Sequence, residues 1–91
     1  MANTKSAKKR IRRNERARAR NRVHRTRART FVKKARLEIQ SGAVEDSVEA
    51  VRVAVRALDH AASKGVIHPN NAARRKSRLM KRLAELEAEK S

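Results

Sequence analysis

From residue 6 to residue 40 the chain contains neither Gly nor Pro, and apolar positions recur in its second half at helical spacing. Ala28, Val32, Ala35 and Ile39 step by four, three and four, with Phe31 alongside. That repeat predicts a helix with one buried face. Ser41-Gly42 supplies the stop, Gly being suited to a left-handed terminal position. A second helix is expected from about 43 to 63, with Val44, Val48, Val51, Val55, Leu58 and Ala62 as its buried stripe. Glu45, Asp46 and Glu49 lie near its start, where carboxylates complement the helix dipole, and Lys64-Gly65 ends it. After Val66-Ile67-His68-Pro69, a third helix is expected over about 70–88, capped by Asn70 or Asn71. Its face carries Ala72, Leu79, Leu83 and Leu86, supported by Met80, with Phe31 in the core. Lys76 interrupts the stripe, so the first two turns are expected to be less buried than the last two.

Helix length then decides the architecture. At about 1.5 Å per residue the first helix reaches roughly 50 Å and the others about 30 Å each. Short connections make neighbours antiparallel, so the second and third helices cover only the C-terminal half of the first. The expected fold is all-α, a three-helix bundle in one small domain over 1–91, with an over-long basic N-terminal helix projecting beyond the bundle. Sixteen of the apolar residues are Ala and Phe31 is the one aromatic, which makes the core thin.

Charge gives that projection its meaning. Lys and Arg number 26 against nine Asp and Glu, for a formal +17. Residues 1–36 hold 16 of the cations and one acid, Glu15, while residues 37–63 hold two cations and five acids. Residues 64–84 add seven cations and no acid. Such an excess repels itself and calls for an anionic partner, with nucleic acid and anionic membrane as the candidates. No apolar run approaches the roughly 18 residues of a membrane span, and no secretory signal is expected. A mitochondrial transit peptide fits poorly, because the cations do not keep to one face. Without Cys there is neither a disulfide nor a Cys-ligated zinc.

The projecting segment carries Lys5, Lys8, Lys9, Arg10, Arg12, Arg13, Arg16, Arg18, Arg20 and Arg22. Like charges one turn apart cost a few tenths of a kcal/mol each, so this half is expected to be frayed until phosphate neutralises it. Cations on every side suit a helix lodged in a cleft between RNA helices, whereas a duplex or a bilayer is met from one side. Lacking a row of aromatics for stacking bases, recognition is expected to work through phosphates, 2′-hydroxyls and groove shape. Arg adds the bidentate grip that Lys lacks. Arg25, Arg75 and Arg78 are read in the same way, as phosphate contacts.

His24, His60 and His68 match no metal motif. His24 is expected to meet RNA or solvent, His60 to be exposed on the second helix, and His68 to touch RNA or tie down its loop. No nucleophile–base pair, phosphate-cradling Gly loop or catalytic carboxylate pair is present, so no enzyme and no cofactor are expected. A membrane-active helix needs large apolar residues opposite the cations, and residues 5–22 offer Ile11 and a few alanines. A DNA-compacting, histone-like protein remains the competing reading. In its basic-zipper version it needs leucine heptads running on from the basic helix, which Gly42 breaks.

The opening Met1–Arg10, the Arg-Thr-Phe-Val-Lys-Lys of Arg29–Lys34, the Lys-Gly-Val-Ile-His of Lys64–His68, Asn70, and the run Ala72–Leu79 stand in order over nearly the whole chain. Together they resemble the S-twenty family of bacterial small-subunit ribosomal proteins. The resemblance implies a three-helix bundle with a long first helix, bound directly to small-subunit ribosomal RNA in the cytoplasmic ribosome. It also implies early assembly, a place near the bottom of the subunit body, and other small-subunit proteins as neighbours; no homo-oligomer is expected. It carries RNA contacts onto Asn3, Lys5, Ser6, Lys8, Lys9 and Arg10, onto Arg29, Thr30, Lys33 and Lys34, and onto Lys64, His68, Asn70, Arg74 and Lys76. Pro69 and Asn71 stand where the family often has Lys, so two phosphate contacts at that turn are not carried over.

Overall fold

The computed structural model describes residues 4–91. It contains three helices: α1 (Lys5–Ser41), α2 (Val44–Ser63) and α3 (Pro69–Lys90). Thr4 caps α1, its hydroxyl accepting the Ala7 N–H at 3.3 Å. Gly42 stops α1 at φ +83°, its N–H donating to the Ile39 carbonyl. The end of α2 is a doubly bonded left-handed cap. There Gly65, at φ +74°, donates to Ala62, and Val66 donates to Ala61. Val66 is itself buried, so the cap is sealed by the core.

α3 starts one residue before the expected span, and its cap is His68 rather than an Asn. The His68 Nδ1 accepts the Asn70 N–H at 3.1 Å, and Pro69 occupies the first turn. Proline suits that position because its missing N–H would have no helical partner there. Both asparagines therefore fall inside the helix.

α2 returns antiparallel along α1 and lies between it and α3. Its buried line is Ser47, Val51, Ala54, Leu58 and Ala61, one step round from the valine stripe that the repeat suggests. Val51 and Leu58 belong to both lines. Val44, Val48, Val55 and Ala62 form a half-buried edge. The reason is geometric: a helix packed on two sides buries its small residues, which let the neighbouring axes approach. Ser47 is fully buried without penalty, since its hydroxyl donates to the Ala43 carbonyl at 2.6 Å.

The core joins Ala28, Val32 and Ala35 of α1 to that line and to Ala72 and Leu79 of α3. Two core expectations need correction. Phe31 packs against the core from its edge and is half-buried, and Met80 is 54% exposed. Nor is the start of α3 less buried than its end, because Ala72, Leu79 and Leu86 are all inside. Lys76 does not break this face, since its ammonium reaches Asp59 of α2 at 2.8 Å.

Candidate nucleic-acid interface

α1 has 37 residues, about 55 Å at helical rise, and its first buried residue is Ala28. Antiparallel α2 is long enough to reach back only to about residue 24, and the contact of His60 with His24 marks where it stops. From Lys5 to Val23 the helix therefore runs beyond the bundle, and the molecule measures 67 × 21 × 14 Å. The ten cations from Lys5 to Arg22 and the following Arg25 are all exposed. At 3.6 residues per turn they leave no gap wider than about 60° around the axis.

None of these charges is satisfied internally. Among the described residues the ion pairs are Arg52–Glu49 at 3.6 Å and Lys76–Asp59 at 2.8 Å, both within the bundle. A rod with cations on all sides, whose one carboxylate, Glu15, forms no ion pair among the described residues, is an electrostatic half-structure. Ser6 lies exposed in its first turn, and Asn3 lies outside the described residues.

The remaining sequence-predicted positions fall into three places. Arg29, Thr30, Lys33 and Lys34 are exposed on α1 where it runs through the bundle. Lys64, His68, Asn70 and Arg74 gather at the α2–α3 corner, at the base of the rod; the charge of Lys64 is felt at His24. His68 ties down its loop by capping α3, and acceptance at Nδ1 leaves its Nε2–H free to donate outward. Lys76 is held by Asp59 and is half-buried. Arg75 and Arg78 form the third place. They meet Lys81 and Arg82 of α3 and Arg36 of α1 across a cleft of about 330 Å³, with Glu85 at its edge. Arg36, Lys81 and Arg82 were not singled out from the sequence. The spacing of Arg75, Arg78 and Arg82 by three and four marks one helix face, but only the fold brings Arg36 to it.

At the base of the rod the rings of His24 and His60 lie 5.0 Å apart at 56°. His24 is thus half-buried against α2 rather than turned to solvent. Loss of water first, then the positive neighbours His60, Arg27 and Lys64, hold its imidazole below the ordinary value of 6.5. Among the described residues no group of acidic or histidine side chains could hold a metal ion. Nor, among the described residues, is any helix long and apolar enough to cross a membrane.

Comparison of the sequence with known proteins finds one family along nearly the whole chain. The family model described as Ribosomal protein S20 matches residues 2–84. The small ribosomal subunit protein bS20 of Thermomicrobium roseum is 56% identical over 86 residues, which cover 94% of this chain and 87% of that one. The bS20 protein of Roseiflexus sp. is 54% identical over 88 residues, covering 97% and 96%. That of Thermobifida fusca is 51% identical over 87 residues, covering 96% and 95%. Matched along nearly its whole length by structural, non-enzymatic proteins of the small ribosomal subunit, this chain belongs to the ribosomal protein S20 family.

Proposed function

We propose that the chain is a structural component of the small ribosomal subunit that binds its RNA directly, through phosphate and shape contacts, and supports early assembly of the particle. The observation that carries this reading is the rod from Lys5 to Val23, charged all round and unpaired by its own carboxylates. Polyphosphate removes the self-repulsion and releases bound counterions, so the energy of neutralisation appears as affinity. A helix contacted on every side has to be in place while the surrounding RNA is still closing, because a finished cleft admits it only end-on. This is the physical basis for an early role. The corner cations around Lys64 and Arg74 then fix how the rod enters, and the Arg36–Arg75–Arg78 cleft offers a further phosphate seat on the bundle.

The test is competition binding with folded small-subunit ribosomal RNA and duplex DNA of equal length, read across a salt series. Strong preference for the folded RNA is expected, with log affinity falling by about 0.7–0.9 per log salt for each phosphate neutralised. Equal affinity for the two would favour the compaction reading. A shallow slope would show that the arginines are not the main contacts.

A further inference from the structure

Phe31 is the one aromatic residue of the chain, and it stands in the wall of a groove between α1 and α2. Two cavities open along this groove and a third, lined by α1 alone, adjoins them on the rod side; all three share Phe31 and none is lined by α3. The middle one, of about 350 Å³, is floored by Phe31, Val53 and Ala57 and rimmed by Arg27, Arg56 and His60. It lies at the small end of the range that holds a single organic ligand.

Resting on the RNA-binding reading above, we propose that this middle cavity receives one unstacked nucleobase of the RNA. The base lies against Phe31 and Val53, and its phosphate is held by Arg27 and Arg56. Charge along the groove selects this occupant and its direction. The cavity has two guanidinium groups and no carboxylate at its rim, an arrangement that suits an apolar ring carrying an anion. Towards Arg22 and Val23 the next cavity, of about 440 Å³, is again cationic and apolar, and Val23 is 57% exposed there. On the other side the cavity of about 270 Å³ is bordered by Glu38, Asp46 and Glu49 against a single cation, Lys34, so its net charge repels phosphate. The strand therefore enters from the rod side and turns back before the acidic end. Stacking on an aromatic face is tolerant of base identity. The His60 ring supplies the group at the rim able to donate to or accept from a base edge. Burial in the protein's own core would have satisfied Phe31 more simply, and the half-open position leaves one flank of the ring to a partner.

Ultraviolet irradiation of purified small subunits, followed by digestion and mass spectrometry, tests the contact directly. A nucleotide adduct is expected on the peptide containing Phe31. In binding to folded ribosomal RNA, Phe31→Leu is expected to weaken affinity about tenfold with an unchanged salt slope, because stacking and not charge is lost. Arg56→Gln, at an exposed position, is expected to lower the slope by about one phosphate, and it serves as the binding test should Phe31→Leu not fold. Full affinity and slope in these variants, with no adduct at Phe31 while other α1 peptides cross-link, overturns the proposal. So does an adduct joining Phe31 to another protein. Arg12→Gln with Arg16→Gln separates the two readings. If the rod variant loses affinity and the groove variants do not, the base site alone falls; if neither does, RNA binding through the rod falls with it.

Discussion

Gly42 and Gly65 stop their helices because the backbone there turns left-handed, at φ +83° and +74°, where a Cβ crowds the following carbonyl. At Gly42 a Cβ would find ordinary space, with the Lys90 side chain 3.7 Å away, so the cost of a substitution is conformational alone. Gly42→Ala is expected to destabilise the domain by about 1 kcal/mol, read as a lower denaturant midpoint at unchanged slope. His24 makes a second test at this scale. Its imidazole is held below 6.5 by lost solvation and by His60 and Lys64 facing it from α2 and its end, with Arg27 on its own helix. The folded state thus binds protons less readily than the unfolded one. Stability is whole above about pH 6.5 and falls as pH drops below that value. Thermal melts between pH 5 and 8 are expected to show this decline below 6.5 and a plateau above it. In His24→Gln the decline should flatten, and an unchanged profile would assign the effect elsewhere.

The three helices differ in what holds them. α2 and α3 close their apolar faces against neighbours, whereas α1 is two objects in one rod. Residues 28–41 are fixed by packing; residues 5–23 have helical propensity from Ala17, Ala19 and the arginines, opposed by like charges at every turn. In the isolated protein the amides of that half are expected to exchange with solvent nearly unprotected, and to become protected when ribosomal RNA is added. Hydrogen exchange read by mass spectrometry distinguishes this from a rod that is rigid on its own. Full protection without RNA would remove the folding-on-binding step. α3 illustrates a subtler balance. Lys76 stands in an apolar face and is accommodated by Asp59 at 2.8 Å; with both groups partly exposed, such a pair contributes little more than about 1 kcal/mol. Its role is to let a cation lie in the interface without harm.

At the scale of the whole molecule, the bundle is a small anchor for a long probe. Its core rests on a few full-sized side chains, of which Leu58 and Leu79 are the largest fully buried. Leu58→Ala is expected to cost about 2–5 kcal/mol, a large share of the 5–15 kcal/mol typical of a domain. A variant that is largely unfolded in isolation yet regains helical circular dichroism on ribosomal RNA is the expected outcome. A fully stable variant would mean that the core is better supported than its composition suggests.

Much of this was legible in the residues. The absence of Gly and Pro from 6 to 40, the glycine stops and the polarity of charge fix three helices, the outreach of the first and its concentration of cations. Each is a local property or a matter of length, and the motifs of the opening segment and the α2–α3 corner carry the family. Other features were settled only by packing. A repeat of four and three marks a buried face, but α2 touches helices on two sides, and its line of Ser47, Ala54 and Ala61 outranks the valines beside it. The same packing turns His24 onto His60 and draws Lys76 to Asp59, while the approach of α1 to α3 brings Arg36 to the arginines of α3. It also leaves Phe31 at the lip of a groove. One-dimensional spacing reports which residues share a helix face, whereas the depth of a side chain depends on how many neighbours that face meets.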